Sequence, residues 1–379
     1  MYDHPIPLNV DTINNSSSDD TVDVATTMTI AGISAGQDSS GLTLSNGCAM
    51  VWGSNASAQL GVGNKNKEIT TPTMINLNKT ENGAGIQKLV LGYNHSALID
   101  EGGDLYTFGH GGSVVNGMGC LGHGDGSEHL VPKRVESLVE DGCFVDDVCV
   151  GKSHTTVLTT EGELLTTGSG SWGRLGNLDT EDQLFLEPVE MLAGSQVVQI
   201  ASGHEFTLAL TSDGIVHGWG RNDKGQLGTG GGIVVDMYSM AAMPTPVEGQ
   251  LEGRRVAKIA AGHGHAACIT DQGELFFWGI KMYLEPVLIS SLLHTKCIDV
   301  ACGNNYTCVV TEDGRLYTFG KGKHGVLAQA SKSDIWQPAL VEGLLGNRVV
   351  SMATGDHHVL CLVEENEKEE ESGSEKDKA

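Results

Sequence analysis

An all-β propeller, seven-bladed and built of four-stranded antiparallel blades, is the fold this sequence predicts, on three observations. One short pattern recurs seven times along the 379 residues. Each copy pairs two short apolar runs across a Gly-containing turn, which is hairpin chemistry. Long helical apolar spacing is absent throughout.

The copies begin at Gly36, Gly92, Gly151, Gly203, Gly262, Gly303 and Gly355, at intervals of 56, 59, 52, 59, 41 and 52 residues. Most close on an aromatic-Gly pair, as in GELFFWG from Gly273 and GDLYTFG from Gly103. The preceding runs SALI, TTVL, TLAL, AACI and TCVV supply the partner strand. A GQLG-like element follows five of the hairpins: Gln59-Leu60-Gly61, Cys120-Leu121-Gly122, Arg174-Leu175-Gly176, Gln226-Leu227-Gly228 and Val326-Leu327-Ala328.

A proline is then expected to open the next strand, at Pro72, Pro132, Pro188, Pro246, Pro286 and Pro338. A residue without an N–H belongs at an edge strand or a strand start. Three places on stands an apolar residue (Ile75, Val135, Met191, Ile289, Val341), absent only after Pro246. Length alone suggests two or three domains, but repeats bury their apolar faces only against their neighbours, so the period overrides length. Three regions are expected: a polar, disordered segment over 1–27 that includes the run from Asn14 to Asp20, the propeller over 28–363, and an acidic disordered tail over 364–379.

Formal charge is −25, and the tail, with eight acids and three lysines, accounts for −5 of it. So acidic a chain is not expected to bind nucleic acid by neutralising phosphates. It leaves room for a basic partner such as a histone. Nine cysteines occur without a CxxC pair, and Cys268, Cys308 and Cys361 fall inside strand patterns. They read as reduced thiols of a soluble cytoplasmic or nuclear protein. Neither a signal peptide nor an apolar run near the ~18 residues of a membrane span is found. A monomer is expected.

Val51-Trp52-Gly53-Ser54-Asn55 through Gly63, and Trp219-Gly220-Arg221-Asn222 through Gly230, carry the repeat nearly complete. With the GxxH boxes and the P-x-x-V elements, they resemble the regulator of chromosome condensation family, whose fold is a seven-bladed β-propeller. The likeness covers roughly residues 28–365, and the segment from Asn347 through Leu360 resembles the founding member's last blade. Two departures stand out: unit five has no GQLG element after Gly279, and none precedes the first copy. The resemblance implies that N-terminal strands complete the last blade, with Pro5 to Val10 the candidate.

The founding member is the guanine-nucleotide exchange factor for the small GTPase Ran; other relatives are scaffolds, GTPase regulators or light sensors. The resemblance implies exchange through acids in the second and third copies and a His in the fifth. Here those copies read Tyr93-Asn94-His95 and Lys152-Ser153-His154, so both acids are missing and only His265 matches. The expected function is therefore a protein-interaction propeller, a scaffold or regulator of a partner protein. Ran-type exchange, without covalent chemistry and with His265 as its one catalytic candidate, is the alternative. An acidic histone or chromatin binder is the third reading.

Tyr93, Asn94, Ser153, His265 and Asp356 are the candidate partner contacts, together with the excursion from His110 to Glu128, which reads first as a spacer between blades. The recurring His95, His154, His265 and His358 read first as structural hydrogen bonds beside the channel. No cofactor or metal is expected: strand alternation separates the ligands in His263/His265/Cys268 and His357/His358/Cys361. Gly151-Lys152-Ser153 is not a phosphate loop, because Asp146 stands where that loop needs Gly. The Gly-rich stretches Gly109 to Gly126 and Gly228 to Gly232 read as loops between blades. No tryptophan lies in a GxxH box, which speaks against light reception; Trp172 and Trp336 read as connecting segments.

Overall fold

The computed structural model describes residues 29–75, 84–230 and 239–365. Six four-stranded antiparallel sheets follow one another as blades, each taken in chain order from the axis outward. Blade 1 comprises Ile30–Ala35, Ser39–Leu44, Ala49–Ser54 and Glu68–Met74; blade 2 comprises Ile86–Leu91, His95–Asp100, Leu105–Gly109 and His129–Arg134. Blade 3 is Val145–Val150, His154–Thr159, Leu164–Gly168 and Gln183–Pro188, and blade 4 is Val197–Ser202, Phe206–Thr211, Val216–Arg221 and Met240–Pro246. Blade 5 is Val256–Ala261, His265–Thr270, Leu275–Gly279 and Tyr283–Leu288, and blade 6 is Cys297–Cys302, Tyr306–Thr311, Leu316–Gly320 and Ile335–Leu340.

The expected seventh four-stranded blade is, among the described residues, a two-stranded sheet of Asn347–Thr354 and Val359–Glu365. It packs between blades 6 and 1 and closes the ring: the Asp356 N–H donates to the Gln37 carbonyl at 3.0 Å. The second strand of every complete blade is flanked on both sides and almost wholly buried, whereas Val359 to Val363 are only half-buried. Pro5 to Val10, the expected extra strand, lies outside the described residues, as do nearly all of the expected N-terminal and C-terminal disordered regions.

The GQLG elements explain why the blades stay together. Leu60, Leu121, Leu175, Leu227 and Leu327 are fully buried. Leu60 packs with Leu98 and Phe108 of the next blade, and Leu227 with Phe276 and Trp278. The carbonyl before the leucine accepts from that next blade: Trp219 Nε1–H to Arg174 at 3.0 Å, and Trp278 Nε1–H to Gln226 at 2.9 Å. The glycine after the leucine lies under the same ring, and a Cβ on Gly176 would stand 2.8 Å from Trp219 Nε1. On the channel side, ion pairs Lys88–Asp147 and Lys258–Asp299 tie neighbouring inner strands.

The prolines lie within or at the end of the outermost strand rather than opening it. An edge strand tolerates the missing donor at any outward-facing N–H. The buried apolar residue is therefore set by the strand end, not by a fixed count from proline. It is Ile75, Val135, Val189, Val247, the partly buried Ile289 or Val341, and its N–H donates to the carbonyl of the first residue of the third strand at 2.8–3.0 Å. Val189 replaces the expected Met191, which is 52% exposed, and Val247 fills the place for which no residue was expected after Pro246. Trp336 belongs to the outer strand of blade 6, not to a connection. The Gly-rich stretches starting at Gly109 and Gly228 lie inside blades 2 and 4, between third and fourth strands, not between blades.

Candidate functional site

The seven lead glycines converge on the propeller axis, where they line one cavity of about 150 Å³. Each ends an inner strand and turns the chain into the second strand. None has room for a side chain. A Cβ on Gly36 would lie 2.5 Å from the Gly92 carbonyl, and one on Gly355 would lie 2.4 Å from that of Gly36. The turns also hand hydrogen bonds around the ring, as from Lys152 N–H to the His204 carbonyl at 3.0 Å. The residues after each glycine therefore ring one mouth of the channel.

The fourth residue of each box points away from this mouth, into the blade boundary. His95 Nε2 meets Thr155 Oγ1 at 2.8 Å, His154 meets Thr207 at 3.0 Å, and His358 meets Ser40 Oγ at 3.0 Å. The Thr155 hydroxyl already donates to the Cys120 carbonyl at 2.6 Å, so the imidazole is the donor there. Where the next blade offers no hydroxyl the His is replaced: Phe206 faces a blade carrying Ala266, and Tyr306 donates instead to the Gly355 carbonyl at 2.7 Å. Burial pushes the His95 imidazole down to about 4 and the His265 imidazole to about 3. These are neutral clasps between blades.

What the mouth presents is set by the second and third box residues, and it is polarised. In blades 3 to 5, Lys152, His204, His263 and Lys224 gather beside Tyr93. The His204 and His263 rings stack with centroids 4.1 Å apart, and Tyr93 meets His204 edge-on at 5.4 Å. Burial, then the neighbouring His263 and the lysines, holds His204 far below its usual range, at about 2. Behind them Glu205 pairs with Arg174 at 3.6 Å and with Arg221, and Asp223 takes the second arm of Arg221 at 2.9 Å. On the opposite rim, at the closing seam, Asp38 accepts from His357 Nδ1 at 2.6 Å, and burial pushes the Asp356 carboxyl up to about 6.

The excursion from His110 to Glu128 rises from the same face, since the His110 N–H donates to the Asn94 carbonyl at 3.0 Å. It forms a hairpin of Gly112–Ser113 and Gly117–Met118. Its base is held: the Met118 N–H donates to Asp182 of blade 3 at 2.9 Å, and Gly117 lies flat on Ser169. Its tip is not covered: Val114 and Val115 are 88% and 90% exposed. Firm base and bare apolar tip make it a projecting feature rather than a slack spacer.

Tyr93 and Asp356 line the central cavity. Asn94 sits at the rim, where its Oδ1 accepts from Ser57 at 3.4 Å. Ser153 is buried, and its carbonyl accepts from the Ser169 N–H at 2.8 Å. His265 has no exposed surface and stands apart from these four, beneath the mouth. The accessible histidines are its neighbours His204 and His263, which sequence reasoning missed. Their signal was position: each is the second residue of its box, in the turn before the buried second strand begins. Among the described residues no group of three or more His, Cys, Asp or Glu is arranged to hold a metal, and no helix is long and apolar enough to cross a membrane. All nine cysteines are free thiols.

Known proteins fit this architecture. The RCC1-like domain matches residues 8–285, and the regulator of chromosome condensation repeat matches 297–326 and 313–362. The chain is 33% identical over 324 residues to the human E3 ubiquitin-protein ligase HERC2, which covers 82% of this chain and 6% of HERC2. It is 32% identical over 283 residues to the ultraviolet-B receptor UVR8 of Arabidopsis thaliana, covering 72% of this chain and 61% of that one. To RUG3, a mitochondrial RCC1 domain-containing protein of the same plant, it is 30% identical over 356 residues, 88% of this chain and 76% of RUG3. Among solved structures, Prp20p of Saccharomyces cerevisiae, described with its binding to Gsp1p and histones, superposes with a TM-score of 0.78 at 19% identity. That match covers 89% of this chain and 83% of Prp20p. Matched repeats along the chain, clasped blades and a ring of lead glycines converge: the chain belongs to the regulator of chromosome condensation family of RCC1-like β-propellers.

Proposed function

We propose that this protein is an interaction propeller, a scaffold or regulator that engages a partner protein through the face bearing the channel mouth and the hairpin. The observation that carries the reading is the hairpin tip. Two adjacent valines exposed on a braced projection are apolar surface without an intramolecular use, and such surface marks contact sites. Tyr93, Asn94 and Asp356 lie on the same face, within the footprint of a partner seated there. Ser153 and His265 support that surface from below.

Exchange on a Ran-type GTPase is the lesser reading, because no carboxylate occupies the second or third box position of blades 2 and 3. A basic, histone-like partner is disfavoured at this mouth by Lys152 and Lys224. Seven blades, with the two-stranded sheet as the core of the seventh, a monomeric state and a reducing cytoplasmic or nuclear location complete the proposal. Nine free thiols support that location.

The test is affinity capture with the full chain and two charge variants. Val114→Asp with Val115→Asp should lose the captured partner, while Glu161→Lys, in a turn at the far end of the blade, should keep it. Equal capture by both variants would overturn the reading. Release of a fluorescent guanine nucleotide from Ran and other small GTPases, unchanged by catalytic amounts of the chain, is expected alongside.

A further inference from the structure

We infer that the blade 3 to 5 sector of the mouth is a seat for the carboxylates of an acidic, extended segment of the partner protein; the inference rests on the interaction reading above and names the chemistry of that contact. The chain as a whole carries −25, yet this sector is cationic. The charges can be followed one by one. Arg174 and Arg221 are offset by Glu205 and Asp223. Lys152 and Lys224 are left over, with no carboxylate within ion-pair distance among the described residues.

Both lysines stand close to the stacked histidine pair. Lys152 lies over the Tyr93 ring, with Nζ 6.0 Å from its centroid. Lys224 lies over Gly264: a Cβ there would stand 2.6 Å from the lysine Cδ and 3.1 Å from its Nζ. The bare glycine of the fifth box thus makes room for an ammonium from blade 4. Lys224 is half-buried, and burial lowers its pKa; Asp223 and Glu205 pull the other way, but both carboxylates are already paired with Arg174 and Arg221. A partly desolvated ammonium with no carboxylate in ion-pair contact gains most from an incoming one. Between the lysines stand His204 and His263, whose neutral rings can each donate one N–H.

Two further features favour a peptide segment over a lone small anion. Asn94, Asn304 and Gln37 continue the mouth beyond the lysines with side-chain amides, which suit a peptide backbone. Asp38 and Asp356 close the far rim and repel acids there, so the carboxylates are confined to blades 3 to 5 and the segment has one direction. A basic segment would meet the reverse pattern.

The probe is a fluorescein-labelled ten-residue peptide of alternating Asp and Ser, titrated with the full chain and followed by anisotropy. The same peptide with Asn or Lys in place of Asp is the control. The Asp peptide should bind at least tenfold more tightly than either control, and raised salt should weaken it. Lys152→Glu with Lys224→Glu should lower its affinity at least tenfold; should that pair disturb folding, Lys152→Gln with Lys224→Gln takes its place with a smaller loss. Affinity unchanged by these substitutions, or a Lys peptide that binds better, overturns the inference. If capture still depends on the hairpin valines, the inference fails alone. If it does not, the interaction reading fails with it.

Discussion

His265 Nε2 lies 3.1 Å from Thr307 Oγ1, across the boundary between blades 5 and 6. The pair shows how this ring is held. A buried imidazole in one blade meets a hydroxyl one residue beyond the equivalent position in the next, and where the hydroxyl is absent the imidazole is too. Phe206 against Ala266 is the apolar version of the same contact.

Breaking one side of the clasp should therefore cost more than replacing both. His265→Phe or Thr307→Ala alone strands a buried polar group and should lower stability by about 1–3 kcal/mol. The double change His265→Phe with Thr307→Ala copies the Phe206–Ala266 pair and should cost less than the two single losses combined. Urea unfolding midpoints decide; strict additivity would refute coupling.

Gly176 and Gly122 occupy equivalent turns at φ +78° and +74°, yet their surroundings differ. An added Cβ meets the Trp219 ring at 2.8 Å in the first case and only Leu186 and Thr167 atoms at 3.6 Å in the second. Ala at either site carries the left-handed strain of roughly 1–2 kcal/mol. Gly176→Ala should lose a further ~1–3 kcal/mol to overpacking. Thermal midpoints of the two variants should separate; equal shifts would argue that the ring moves aside freely.

Acid should loosen the ring through its clasps. His95 and His265 sit at about 4 and about 3 in the fold, below the ordinary value of 6.5. The unfolded chain then binds protons that the folded chain refuses, so stability falls as pH drops from about 6.5 toward 4. The His265→Phe, Thr307→Ala variant should show a shallower fall in urea unfolding across that window. An identical slope would mean that His265 takes no part.

Asp356 has the opposite sign. Burial, with Asp38 adding to it against His357, raises its carboxyl to about 6, so the ionised form burdens the fold as pH rises from near 4 through 6. Asp356→Asn should raise the unfolding midpoint at pH 7 to 8, and the gain should vanish toward pH 4. A variant less stable than the wild type at pH 8 would show that the charge is used rather than tolerated.

The blade order was legible because each strand pair is local. Gly162 and Gly214 need their positive φ, and the Leu of each GQLG element is apolar because the next blade covers it. The outer strands were less legible, since a proline marks an edge without marking its end; hence Met191 was expected where Val189 is buried. The site was legible only in part. Tyr93 and Asp356 fall on the mouth as expected, but the pairing of Lys152 with Lys224 and the stacking of His204 on His263 join residues about fifty to seventy positions apart, which no local pattern encodes.

By itself the sequence determined a ring of β blades with Gly at the head of each, because backbone turns and alternating burial are properties of a few neighbouring residues. Only the tertiary structure decided which side chains share the axis, which histidines are sealed inside the blade boundaries, and where two lysines stand, among the described residues, outside any ion pair. Those depend on closure of the ring. Closure sets distances between residues that the chain itself keeps far apart.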